Sequence, residues 1–595
     1  MSHLTDPQIY IESTFPDEKL AFHVKNFRTR DRSSLRRAVM WKLVYLALAL
    51  VPSVYLLFFH HSSSSPSSSS STSSFVSGVQ RSPAYSPDQC PQVEPLFPRR
   101  TDDALERMDN HLRSDAYFHH SSDLLSSAIK YRTVTWDDMG PVGEDERWDT
   151  FPKFASWLER SFPNVNSTLR LDTPNTHNLV YTWEGSDSDL KPILLTAHQD
   201  VVPVNNESID QWEECPWSGD QDGHYIWGRG SVDTKDTLLG VMEAVEQLID
   251  ASFQPRRTVI LAFGFDEEIK GPQGAAHIAT FLEDEYGKDG IALIVDEGST
   301  ILDLWSADFA LPAVAEKGGF DLEITVNVPG GHSSMPPRHT GIGIMSQLIT
   351  MIEDDIFAPK LDDDNPFIDA LRCGATHGPR FPPDWAHHLL EDELDLLVED
   401  VSRHPLFSFL CKTTVAVDVI HGGIKINALP ETTTVSINHR VNIGDTIDGI
   451  KSKCTELAAS VAERHNLYLS AFDDSIPTED LASTIVLVSQ YALEPAPLTP
   501  TSTDGTTPFS VFSGTTRALY GPEVIVAPAL TTGNTDTRHY WDLTPHIFRF
   551  SPGWDPRDEG LGNAHTVNER VGASHHVAGV QWYSLFIRNM DEADL

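Results

Sequence analysis

The chain has 595 residues, is 40% hydrophobic and carries a formal charge of −42. That length leaves room for more than one domain. Residues 1–42 are net basic, so the acidity belongs to the remainder, which would repel nucleic acid and anionic membrane surfaces because both are polyanions.

In chain order, residues 1–42 read as a cytoplasmic tail, the one basic stretch, with eight Lys and Arg against five Asp and Glu. Residues 43–59, LVYLALALVPSVYLLFF, hold no charge. Counted from Ala38, the apolar run is about long enough to cross a bilayer. Lys25, Arg28, Arg30, Arg32, Arg36, Arg37 and Lys42 precede it, and no Lys or Arg follows until Arg81. That asymmetry puts the tail in the cytosol and the bulk of the chain in a lumen. A cleaved signal peptide is the competing reading, but the basic leader is too long and no small-residue cleavage pattern follows. The run is therefore expected to be a signal anchor, one transmembrane helix of a single-pass type II protein. Residues 60–114 form a stalk and lead-in, where SSSSPSSSSSTSS at 62–74 has nothing to bury. Asn166 and Asn206 head glycosylation triplets. Cys90, Cys215, Cys373, Cys411 and Cys454 are too few and too scattered for a disulfide framework. One or two bridges are compatible with them, and an odd cysteine stays free.

Residues 115–317 alternate apolar strands (193–197, 258–265, 291–296) with helical stretches (237–250, 274–286). This is the pattern of an α/β layered domain with a largely parallel sheet. Residues 318–472 change to a β-α-β-β-α-β order, a small two-layer domain inserted into the larger one. An acidic helical excursion at 353–412 reads as decoration on it. Residues 473–595 are expected to return to the first domain.

Polar residues gather where these strands end, which is where open α/β sheets place their sites. They are His198 and Asp200 after one strand, Asp233 at a Gly-rich turn, Glu267 and Glu268 after the next strand, Asp296 after a third, and a late His565. Imidazole and carboxylate suit borderline-hard divalent cations such as Zn²⁺. A pair of such ions supplies a hydroxide nucleophile near neutral pH, so the chain is expected to be a hydrolase. Asp200 faces the same way as His198 and is suited to accept its second ring N–H and fix the tautomer. There is no His-Glu-x-x-His, Gly-x-Ser-x-Gly or P-loop. His421 and His439 read as structural.

These five ordered motifs, over about residues 115–595, resemble the family of co-catalytic zinc carboxypeptidases and aminoacylases. The closest resemblance is to its vacuolar carboxypeptidase S branch, which also joins a short basic tail and anchor to the enzyme core. The resemblance implies a zinc-exopeptidase-like α/β catalytic domain with an inserted ferredoxin-like α+β lid and two Zn²⁺ per subunit. Asp233 would bridge the ions, His198 with Asp296 would hold one, and Glu268 with His565 the other. Glu267 would be the general base. His332, in GGHSSMP, would reach from the lid to stabilise the oxyanion, with Asn427 as a second donor. Arg440 and Arg538 would hold the substrate's free carboxylate; the rival role for either is a structural ion pair. Relatives also imply a homodimer through the lid.

The reading is a membrane-anchored di-zinc exopeptidase of the vacuole membrane, its catalytic domain luminal, that cleaves the C-terminal residue from short peptides. An N-acyl amino acid hydrolase or synthase would use the same metals and clamp. An inactive binding ectodomain is the rival from another class, and Glu267 argues against it, since a pure binder has no use for a base beside the metals.

Overall fold

The computed structural model describes residues 89–354, 357–473, 483–558 and 560–595. All belong to one compact unit, Arg81–Leu595. The tail, the anchor at 43–59 and the Ser-rich stretch lie outside the described residues, among which no helix is long and apolar enough to cross a membrane.

An eight-stranded sheet forms the centre of the unit. Its spatial order is Arg170–Asp172, Leu179–Trp183, Val259–Gly264, Ile193–His198, Leu293–Ser299, Ile547–Phe550, Ala313–Glu316, Ala529–Thr531. The four strands from Val259–Gly264 to Ile547–Phe550 run parallel. Those central strands are buried on both faces, which is why they read as continuous apolar runs. Alternation sorts their side chains into two cores. Leu195, Leu261, Phe263, Val295 and Phe550 face one core, against helices Asp115–Ile129, Lys235–Asp250 and Ala573–Glu592. Leu194, Ile260, Ala262, Ile294 and Ile547 face the other, against helix Ala275–Tyr286. The result is three layers, with strand ends exposed at one edge.

The inserted region forms a separate five-stranded sheet, ordered Thr414–Gly422, Thr432–Val441, Gly318–Asn327, Thr484–Leu493, Tyr468–Ala471. Helices Gly341–Glu353 and Ile447–His465 cover one face through Phe320, Ile324, Leu348, Val435 and Val461. Two expectations need correction here. The insertion does not end at 472: Thr484–Leu493 pairs antiparallel along Gly318–Asn327 and separates it from Tyr468–Ala471. A lone apolar strand does not declare its partner, so sequence alone assigned it to the wrong sheet. Nor is the excursion decoration. Its helices Pro366–His377, Pro383–Leu390 and Leu394–Val401 bury a core of Leu371, Phe381, Trp385 and Phe407, with Trp305 of the main domain packed against it. A Cys90–Cys373 disulfide ties the excursion to the lead-in, while Cys215, Cys411 and Cys454 are free.

Candidate metal centre

The strand ends deliver the site. His198 is the last residue of Ile193–His198, and Glu267 and Glu268 follow Val259–Gly264 in a short 3-10 turn. Asp233 sits just before helix Lys235–Asp250, and His565 in the loop before strand Arg570–Gly572. Asp233 stands between the two imidazoles. Its Oδ1 is 3.2 Å from His198 Nε2, and its Oδ2 is 2.9 Å from His565 Nε2. Glu268 Oε2 lies 3.1 Å from His565 Nε2 on one side. Glu297 Oε1 lies 3.2 Å from His198 Nε2 on the other.

Glu297, rather than the expected ligand Asp296, is the acid that pairs with His198 here. Asp296 makes no ion pair with a histidine among the described residues; its Oδ1 accepts the Glu297 N–H at 2.9 Å, and its Oδ2 is buried without a hydrogen-bond partner. The Asp-Glu pair in the sequence offered both acids, and only the packed structure separates them.

Asp200 organises the turn as well as the histidine. It is fully buried. Oδ1 accepts from Glu267 N at 3.1 Å, and Oδ2 from Glu268 N at 3.2 Å and Thr135 Oγ1 at 2.8 Å. His198 Nδ1 is 3.3 Å from Oδ1 and 3.0 Å from the Asp200 carbonyl oxygen. Glu569, which sequence reasoning passed over, braces both ligand-bearing loops. Its Oε1 accepts from Gly230 N at 2.9 Å and Val232 N at 3.2 Å, and its Oε2 pairs with buried Arg229. Nothing in NERV marks that role without the fold.

Arg538 is a second correction. Its Nη2 donates to Glu267 Oε1 at 2.8 Å and its Nε to the Thr535 carbonyl at 2.8 Å. The guanidinium is thus committed to Glu267 rather than open to a substrate carboxylate. Arg440 Nη1 donates to Asn534 Oδ1 at 3.4 Å, and among the described residues it has no carboxylate partner. Asn534 lines the central cavity, about 410 Å³, with Asp233, Glu267, Glu268, Glu297 and His565. His332 and Asn427 are not among the lining residues. They lie on an exposed two-stranded ribbon, where His332 is opposite Ala428 and Ser333 N donates to the Asn427 carbonyl at 3.3 Å. His439 is buried as a structural residue, its Nδ1 3.3 Å from the Phe320 carbonyl oxygen. His421 is on the exposed end of its strand.

The electrostatics call for cations. Burial and then Asp233 push the Glu268 carboxyl up to about 7. Burial drives Glu267 well above the usual carboxylate range, with His198 and Arg538 pulling against it and Glu297 adding to it. Burial also works against charge on Asp233, but hydrogen bonds to His198 and His565 outweigh it and hold that carboxyl below its ordinary value. Asp233 and then Glu268 raise His565 to about 11. Glu268 Oε1 is buried and has no hydrogen-bond partner among the described residues. Buried carboxylates without a partner are costly unless a cation neutralises them. An imidazole–carboxylate donor set with one acid shared between two halves fits a pair of divalent ions.

Known proteins carry the same pattern. The family described as peptidase family M20/M25/M40 matches residues 194–589. The chain belongs to that family. Carboxypeptidase S of Saccharomyces cerevisiae is 39% identical over 529 residues, 86% of this chain and 90% of the relative, which puts the chain on the carboxypeptidase S branch. An N-fatty-acyl-amino acid synthase/hydrolase of Mus musculus is 30% identical over 79% of this chain and 87% of its own. Among solved structures, human carnosine dipeptidase 1 superposes with a TM-score of 0.57 at 14% identity, over 83% of this chain and all of that one.

Proposed function

We propose that this M20-family metallocarboxypeptidase is a di-zinc enzyme that removes the C-terminal residue from short peptides. The observation that carries the reading is Asp233 held between His198 and His565, with Glu297 and Glu268 flanking it and Glu267 beside them. His198, Asp233 and Glu297 would hold one ion, and His565, Asp233 and Glu268 the other. When bound, the two ions supply Lewis acidity and an activated water. The protein does the rest. Glu267 takes the proton and delivers it to the leaving amine. Arg538 keeps Glu267 oriented and favours its charged form. Arg440, beside Asn534 at the cavity, receives the substrate carboxylate, which restricts attack to the last peptide bond.

The ribbon that carries His332 and Asn427 also exposes Met335, Ile424 and Ile426. Exposed apolar side chains beside two oxyanion candidates support a homodimer in which this ribbon meets a second copy. Compartment and anchoring rest on the uncharged run at 43–59 and its basic flank. The Cys90–Cys373 bridge supports a lumen such as the vacuole, because such bonds persist in oxidising compartments.

The test counts zinc and measures turnover of a blocked Gly-Leu dipeptide and of N-oleoyl-leucine by wild type and Glu267→Gln. Expected are two zinc ions in both proteins, peptide turnover by wild type, and a loss on the order of 10²–10⁴-fold in the variant. Preferential turnover of the acyl amino acid would move the chain to the activity named for the mouse relative. Zinc without turnover of either substrate would make it a binding ectodomain.

A further inference from the structure

A second cluster of imidazoles and carboxylates sits on the rim of the same cavity and shares no residue with the centre above. His224 Nε2 is 3.3 Å from Asp558 Oδ1, and His575 Nδ1 is 3.4 Å from Asp558 Oδ2. One carboxylate again stands between two imidazoles, as Asp233 does. Asp555 adds a further donor: one ligand atom each from His224, Asp555 and Asp558 lie within 4.8 Å of one another. Asp555 is also held by Arg557 Nε at 2.9 and 3.0 Å, but that arginine is exposed, and His575 steadies Asp558 from its other oxygen.

Two observations separate this cluster from a solvated ion pair. Asp558 Oδ1 is buried and has no hydrogen-bond partner among the described residues, although an imidazole nitrogen lies 3.3 Å away. The two atoms are neighbours without being aimed at each other, the disposition of two ligands to a common centre rather than of donor and acceptor. The backbone also makes room for the cluster. A Cβ on Gly572 would collide with both Asp558 oxygens, and a Cβ on Gly553 with the His575 ring. The imidazoles come from firm elements. His224 leads into strand Tyr225–Trp227, which pairs with Arg570–Gly572, and His575 lies in the first turn of Ala573–Glu592. Asp555 and Asp558 belong to the loop that carries His565.

The geometry points to a peripheral divalent-cation site, formed by His224, Asp555 and Asp558 with His575 holding the far oxygen of Asp558, that takes Zn²⁺ or a similar borderline ion. Imidazole and carboxylate oxygen are donors that such ions favour. A cation there ties the His565 loop to the strand and helix beneath it, so occupancy couples the free metal concentration to the position of a catalytic-centre residue.

Native mass spectrometry of the full chain in detergent micelles, across rising Zn²⁺, tests this. Wild type should take up one ion more than His224→Ala, Asp555→Asn or Asp558→Asn. Glu268→Gln, which damages the catalytic centre, should keep the peripheral ion. Asp558→Asn preserves shape, so it carries the test if a histidine variant fails to fold. Folded variants that all bind as many ions as wild type would overturn the proposal. A wild type with a single ion, lost in Asp558→Asn and kept in Glu268→Gln, would leave this site standing and remove the di-zinc reading.

Discussion

Asp200→Asn is the sharpest perturbation of the centre, because it changes no volume and removes no proposed metal ligand. The carboxylate accepts the Glu267 and Glu268 backbone N–H groups on separate oxygens, at 3.1 and 3.2 Å, while Thr135 donates to it at 2.8 Å. An amide has one oxygen for that work, and its other end presents N–H groups to a donor. At least one charge-assisted bond is lost, about 1.5–3 kcal/mol, and a buried donor is left facing another donor, about 1–3 kcal/mol. The two costs overlap, since they describe one broken contact, so a destabilisation of about 2–4 kcal/mol is expected. The turn carrying Glu267 and Glu268 then loosens, and zinc affinity should fall roughly 10–100-fold, as when a supporting partner of a ligand is removed. Urea unfolding of the metal-depleted protein, followed by tryptophan fluorescence, measures the first effect. Competition with a chromogenic chelator measures the second. An unchanged midpoint together with unchanged zinc affinity would refute Asp200 as the organiser of the turn.

The ligand correction predicts that Glu297→Gln loses one zinc ion while Asp296→Asn keeps both; the reverse result in metal analysis would restore Asp296. The two arginines should separate by kinetics. Arg440→Ala should raise KM for free-carboxylate peptides about 10–100-fold, the worth of a charge-assisted bond, and leave C-terminally amidated analogues little changed; equal effects on both would make Arg440 structural. Arg538→Ala removes a cation that lowers the Glu267 pKa, so a base needed in its ionised form would lose its proton only at higher pH. The acidic limb of kcat/KM should move upward, and an unmoved limb would disconnect Arg538 from the base. For topology, protease added to sealed vesicles should remove only the tail before residue 43. Digestion of the catalytic domain would reverse the orientation.

Much of the centre was legible without the fold, because its motifs are local. His198 and the Glu267–Glu268 pair follow apolar runs that sheet burial demands, and a strand end points its terminal residues at whatever crosses the sheet edge. The His-x-Asp spacing places Asp200 beside His198, and the His198, Asp233 and Glu268 side chains come together as the order of the motifs implied. The alternation of strands and helices was enough for an α/β layered domain, and the change of pattern at 318 falls where the second sheet begins.

What the tertiary structure alone decided concerns direction and partnership. Asp296 and Glu297 are adjacent acids on one strand, and nothing in the sequence says which of them pairs with His198. Arg538 has a carboxylate-binding shape in either role, and only proximity assigns it to Glu267. Strand Thr484–Leu493 finds its place beside Gly318–Asn327 through backbone hydrogen bonds, which no side-chain pattern encodes. The Cys90–Cys373 bridge spans 283 residues, and five cysteines allow many pairings. Periodicity and burial act over a few neighbouring residues and survive in the linear chain. Facing, pairing and crosslinking act between segments, and they exist only once the layers have packed.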